Sequence, residues 1–195
     1  MNKLHRLLIV AFAALGLLAP ARAAVETYAI DPVHSSVGFS IRHVFSKIPG
    51  SFTKFSGTLV FDRADLEKST VEASIDLGSL DTRSEKRDVA VKGTDFLDVA
   101  KHPSMTFKSK AWKKTGADTY DVTGDLTIHG VTKQVVVQAK LLGFGPGLMG
   151  AYVSGWDVTA TLNRRDFGVN GPGWLGAAVG DEVAVTIGIE ADLKK

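Results

Sequence analysis

Apolar and polar residues alternate with a period of two through most of this chain, the mark of strands with one buried face. Val37, Phe39 and Ile41 alternate with Gly38, Ser40 and Arg42. The same rhythm joins Gly57, Leu59 and Phe61, then Val71, Ala73, Ile75 and Leu77, then Met105 and Phe107. It continues through Tyr120, Val122, Gly124, Leu126 and Ile128, and through Val131, Val135, Val137, Ala139 and Leu141. Trp156, Val158, Ala160 and Leu162 form a seventh run, and Val183, Val185, Ile187 and Ile189 an eighth; Thr27 to Ile30 adds a short further one. Ile128-His129-Gly130-Val131 and Thr115-Gly116-Ala117-Asp118 read as hairpin turns. Thr82 to Ala100 breaks the rhythm, and Ser84-Glu85-Lys86-Arg87-Asp88 predicts a short helix there, ending before Pro103.

Runs with one apolar and one polar face, joined by short turns, bury that face and lose their edges if the sheet closes on itself. The prediction is an all-β fold, an extended eight-stranded antiparallel barrel with one short helix; a two-sheet sandwich is the alternative. Eight strands enclose either packed side chains or one small ligand. Gly57, Ala73, Gly124, Ala139 and Ala160 on inward faces favour free space, although a tapering barrel also uses small residues.

The first 23 residues carry a different pattern. Lys3 and Arg6 precede an apolar run from Leu7 to Leu18, followed by Pro20 and Ala21-Arg22-Ala23, with no acidic residue before Glu26. This is the layout of a secretory signal peptide, residues 1–23, cleaved after Ala23. The run is short of the ~20 residues that span a bilayer, which disfavours an uncleaved anchor. Residues 24–195 then form one exported domain, and the expected location is the periplasm. Of 23 basic residues the leader holds Lys3, Arg6 and Arg22, so the exported part has one basic residue fewer than its 21 acidic ones. That near-neutral balance gives no basis for nucleic-acid binding. The absence of cysteine removes disulfides, thiolate metal sites and cysteine nucleophiles, so the core alone holds the fold.

Several blocks resemble the YceI-like family. Asp31-Pro32-Val33-His34-Ser35-Ser36-Val37-Gly38-Phe39 resembles its opening signature. Arg42-His43, Gly50 to Gly57, Arg87-Asp88, Asp95-Phe96-Leu97-Asp98, His102 to Phe107, Gly124 to Lys133 and Asn163-Arg164-Arg165-Asp166-Phe167-Gly168 follow in order. Asp88-Val89-Ala90-Val91-Lys92 departs from it by lacking a histidine. The resemblance implies a lipocalin-like barrel of the periplasm that binds a polyisoprenoid or similar long amphiphile, often as a homodimer. It implies no catalytic activity and no cofactor beyond the bound isoprenoid or fatty amphiphile. Transient contact with the inner membrane is a further expectation.

The candidate ligand-binding residues of lumen and mouth are Phe39, Ile41, His43, Phe45, Ala73, Ile75, Phe107, Leu126, Trp156, Val158, Leu162, Arg164, Phe167 and Trp174. His43 shares parity with Phe39 and Ile41 and so faces inward near a strand end, either to meet a head group or as a satisfied structural histidine. Parity from Leu162 turns Arg164 and Asp166 inward, as an internal ion pair or with Arg164 as a phosphate ligand. His34 is read as tying a loop to the backbone. Lys108, Lys110, Lys113 and Lys114 surround Trp112, either a solvated hairpin or a contact for an anionic membrane. His34, His43, His102 and His129 show no metal-ligand spacing, and no metal site is expected. Gly145 to Gly150 and Gly171 to Gly176 match G-x-G-x-x-G, but strands follow where a nucleotide site needs a helix. Both read as glycine-rich loops between strands, or the second as a mobile apolar flap at the barrel mouth carrying Trp174 and Leu175. Tyr152 stands where a G-x-S-x-G motif around Ser154 would need glycine. Carriage of an amphiphile is the leading reading. A quinone-linked enzyme or redox partner, and a filled barrel acting as a protein-interaction or stress module, are the alternatives.

Overall fold

The computed structural model describes residues 25–194, so the signal peptide and its cleavage after Ala23 lie outside the described residues. The strands are β1 (Glu26–Ile30), β2 (Ser36–His43), β3 (Ser46–Phe52), β4 (Phe55–Phe61), β5 (Thr70–Asp76), β6 (Leu80–Asp81), β7 (Ser104–Lys114), β8 (Thr119–Ile128), β9 (Val131–Pro146), β10 (Tyr152–Asn163) and β11 (Val179–Leu193). The helix α1 (Glu85–Lys92) lies between β6 and β7, inside the segment where the alternation fails.

These pieces form eight antiparallel staves, because the first three staves are each broken once. β1 and β2 both lie along β11, with Ile30 opposite Ala191 and Ser36 opposite Gly188. β4 and β3 flank them, and β5 and β6 come next. From there β5 pairs with β7, and β7 to β11 follow as consecutive hairpin partners back to β1. The result is a closed eight-stranded antiparallel barrel. Each of the eight alternating runs in the sequence corresponds to one stave.

The first break has a local cause. Pro32 supplies no backbone N–H for a ladder. Ser35 fills the gap: its hydroxyl accepts from the Glu190 N–H at 3.0 Å and donates to the Glu190 carbonyl at 3.1 Å. The β8–β9 turn is the predicted tight hairpin. His129 and Gly130 both have positive φ, 51° and 74°, as a type I′ turn requires.

Two apolar clusters lie toward the two ends. Tyr28, Leu59, Phe61, Trp112, Tyr120 and Trp156 pack where β4 ends and β8 begins. Val37, Leu77, Leu80, Leu97, Leu126, Phe167 and Val169 pack near α1. Among the described residues no ladder joins β6 to β7; α1 and the chain down to Pro103 occupy that gap. The chain there is anchored by Leu77 N–H to the Pro103 carbonyl at 2.9 Å and Gly171 N–H to the Asp95 carbonyl at 3.0 Å.

Candidate functional site

Between the clusters lies a cavity of about 600 Å³. Its wall is almost wholly apolar. Ala73, Ala139 and Ala160 contribute small side chains, and Phe39, Ile75, Phe107, Val158 and Leu162 larger ones. The free space does not come from every small residue: a Cβ on Gly124 would sit 2.5 Å from Phe107 Cζ, so that glycine makes room for a ring rather than for a ligand.

One end is blind. Phe61, Trp112, Tyr120 and Trp156 interlock with ring centroids 5.3 to 6.4 Å apart, mostly edge to face, the favoured aromatic geometry. Trp112 is buried here, which corrects its reading as a membrane contact amid lysines; Lys108 and Lys110 point outward and pair with Glu72 and Asp125. Among the described residues the Trp112 indole N–H is a buried donor with no partner. Beyond the rings, Arg63 lies 3.4 Å from the Phe144 ring centroid and donates to Glu26 at 2.7 and 3.0 Å. Tyr28 donates to the same Glu26 oxygen at 2.8 Å; burial, and then that carboxylate, push its phenol up to about 12.

The other end reaches solvent. Trp174 is 84% exposed yet its side chain also lines the cavity, so the lumen opens beneath it. The 3-10 segment Gly173–Ala178 carries it across the mouth and is pinned by the Arg42 guanidinium, which donates to the Ala177 carbonyl at 3.0 Å. His43 lines the mouth at the end of β2, as its parity predicted.

Thirteen of the fourteen candidate residues line this one cavity. Phe45 does not: it is fully exposed at the β2–β3 turn, where the chain leaves the strand and parity no longer points inward. Arg164 is 6% exposed and points inward, but its partner is Asp181 at 2.9 Å rather than Asp166. The strand ends at Asn163 and a 3-10 turn, Arg164–Phe167, swings Asp166 out to solvent. Arg164 also donates to the carbonyls of Gly180 at 2.9 Å and Val169 at 2.7 Å, and to that of Asn170. Its donors are thus committed to the protein, and it serves as a staple across the β10–β11 connection. Burial pulls its guanidinium down from the usual range while Asp181 opposes that.

Sequence reasoning missed the helix side of the mouth. Ala90 and Val91, in the block that departs from the family pattern, line the cavity, as do Arg87, Asp95 and Phe96. Arg87 Nε donates to the Thr82 hydroxyl at 2.8 Å, and the Thr82 hydroxyl and N–H hold the Asp88 carboxyl below its usual range. These lining residues sit on the short helix α1 and in the loop after it, where no period-two rhythm marks an inward face, so only the closed barrel brings them to the lumen.

Two readings of the histidines change. His34 bonds the Asp31 carboxylate at 2.6 Å, not the backbone; Ser35 makes the backbone tie. His102 and His129, which show no metal-ligand spacing in the sequence, meet with ring centroids 4.8 Å apart.

A family model described as the YceI-like domain matches residues 28–191. A UPF0312 protein of Pseudomonas savastanoi pv. phaseolicola is 44% identical over 160 residues, 80% of this chain and 83% of that one. One from Azotobacter vinelandii is 39% identical over 177 residues, covering 89% and 91%. Among solved structures, Burkholderia cenocepacia BcnA superimposes with a TM-score of 0.76 at 28% identity, covering 83% of this chain and 98% of BcnA. A polyisoprenoid-binding domain from Saccharophagus degradans, implicated in plant cell wall breakdown, gives a TM-score of 0.66 at 17% identity, covering 86% and 98%, a likeness of fold.

Proposed function

The chain belongs to the YceI-like domain family, and on that premise we propose that it takes up a long-chain isoprenoid or similar amphiphile, tail inward, and carries it in the periplasm. The family resembles binding proteins rather than enzymes. The observation that carries the reading is the lumen: about 600 Å³, apolar, blind at the Trp112 and Trp156 end and open under Trp174. That volume falls within the ~300–1,000 Å³ of small-molecule sites. The neighbour from Saccharophagus degradans is described as polyisoprenoid-binding, and at 17% identity it lends its fold alone; the ligand class rests on the lumen's own chemistry.

Burial of hydrocarbon supplies the affinity. At ~0.8 kcal/mol per carbon, an isoprene unit gains about 4 kcal/mol gross. Association costs ~4–15 kcal/mol, so roughly four units bind without strong polar contacts. The head group then sits at the mouth, near His43, Arg87 and Asp95. Loading follows from the rim: Phe45 and Trp174 are exposed apolar residues on adjacent loops, joined where Val44 N–H meets the Ala178 carbonyl at 2.7 Å. Exposed apolar side chains of this kind suit brief contact with a bilayer surface.

The test is native mass spectrometry of protein purified from the periplasm without detergent, followed by solvent extraction and lipid analysis. A stoichiometric adduct with a prenyl or acyl mass is expected. A bare protein mass that persists after incubation with prenyl and acyl lipids would overturn the reading.

A further inference from the structure

We infer that Asp98, His102 and His129 form a binding site for a divalent transition cation of the zinc class, at the rim of the barrel and outside the lumen. One ligand atom from each residue lies within 4.8 Å of the others. Asp98 is buried, and both histidines are half-buried. Among the described residues neither imidazole has a protein hydrogen-bond partner; their recorded contact is with each other. Lys101 Nζ takes Asp98 Oδ2 at 2.9 Å, which leaves Oδ1 for an ion.

The backbone builds this convergence from two separate segments, the loop holding Asp98 and His102 and the β8–β9 turn holding His129. Asp98 and His129 both hold positive φ, 43° and 51°, rare for residues with a side chain. The Asp98 carbonyl accepts the N–H groups of Lys101 and His102, each at 2.9 Å, and so turns His102 back beside its own carboxylate. Gly130 then clears the space: a Cβ there would lie 2.7 Å from His102 Cε1. Held this way, the three donors need about 1.5 Å of side-chain movement at most to reach the spacing of ligands around a tetrahedral ion.

Donor chemistry selects the ion. Two imidazoles and one carboxylate suit Zn²⁺, and also Cu²⁺ or Ni²⁺; Ca²⁺ and Mg²⁺ want oxygen alone. Three protein ligands leave a fourth position for water. The second histidine cluster, Asp31, His34 and Glu190, is a poorer candidate, because His34 is exposed and already engaged by Asp31 at 2.6 Å. An ion on His102 and His129 would bolt the loop after α1 to the β8–β9 hairpin. His129 Nδ1 also lies 3.5 Å from where a Gly168 Cβ would be, so the bolt stands beside the turn that holds Arg164.

The experiment uses untagged full-length protein freed of metal with a chelator. Zn²⁺ is titrated calorimetrically, and Co²⁺ is titrated by visible absorption, whose intensity reports coordination geometry. One equivalent is expected, with a rise in the unfolding temperature. His102→Gln and His129→Asn (asparagine tolerates positive φ) each weaken binding about 100-fold or more, since losing a ligand exceeds the ~10–100-fold cost of losing its supporting partner. His34→Gln leaves it unchanged. If His102→Gln does not fold, His129→Asn and the wild-type Co²⁺ spectrum decide. No stoichiometric binding, binding that survives at either rim histidine, or loss of binding in His34→Gln overturns the proposal. The lipid content of the lumen enters none of these readouts.

Discussion

Replacing Ala73 and Ala160 together by leucine fills the lumen, because both methyl groups line the cavity wall, on separate staves, β5 and β10. The double substitution adds six carbons. If a lipid tail occupies that space, the same number of its carbons is displaced, a loss of about 5 kcal/mol at ~0.8 kcal/mol each. That is more than 1,000-fold in affinity at ~1.4 kcal/mol per decade. The folded protein, by contrast, loses little, since the new methyls enter unfilled apolar space. A core already filled would respond in the opposite way, losing ~1–3 kcal/mol per overpacked site. Binding is read from the fluorescence of Trp112 and Trp156 during titration with geranylgeraniol, and stability from urea unfolding at constant slope. Unchanged affinity in a folded variant would refute the lumen as the binding place. A stability loss of several kcal/mol with the slope preserved would show that the barrel is packed solid.

Arg164→Met should cost on the order of 3 kcal/mol or more in urea unfolding, because it leaves the carbonyls of Gly180, Val169 and Asn170 without their donor, at ~1–3 kcal/mol for each unsatisfied buried group, while Asp181 keeps Arg165. Arg165, and then Arg164, hold the Asp181 carboxyl below its usual value, so its contribution is present above ~pH 4 and is lost as pH falls through the lower folded value; Asp181→Asn should flatten that acid limb. The Asp31 carboxylate raises His34, so its contribution is present below ~pH 6.5 and is lost as pH rises through the higher folded value. An NMR titration of His34 should show a midpoint above ~6.5 that returns toward it in Asp31→Asn. Phe45→Ser, outside the lumen, should reduce sedimentation with phosphatidylglycerol–phosphatidylethanolamine vesicles while leaving geranylgeraniol affinity within a few-fold.

The staves were legible because each keeps one face toward the core over five or more residues, and closure then follows from burying eight such faces. The breaks within them were not. β3 runs through Ser46-Lys47-Ile48-Pro49-Gly50, where no alternation marks a strand, and Pro49 sits opposite Ser40 on a strand whose far side is unpaired there, a place where proline is tolerated. Parity carried the lumen to Arg164 and failed one step later, because a 3-10 turn replaces the strand and moves Asp166 outside. Asp181, the true partner, lies across a glycine-rich connection whose path no periodicity describes. The same limit hid the meeting of Asp98 and His102 with His129, which depends on a loop folding against a hairpin formed much later in the chain.

The missing ladder between β6 and β7 divides the barrel into two levels of cooperativity. Around the blind end every stave is hydrogen-bonded to both neighbours, so exchange of amides in β8, β9 and β10 there should require global unfolding. Around the mouth, α1 and the loop to Pro103 substitute side-chain packing and a few isolated backbone bonds for a continuous ladder. That wall can open locally, and its amides should exchange in a separate, faster unit. On the proposed carrier reading, a guest enters by the loosening of this one panel, and the tier around Trp112 and Trp156 stays shut throughout.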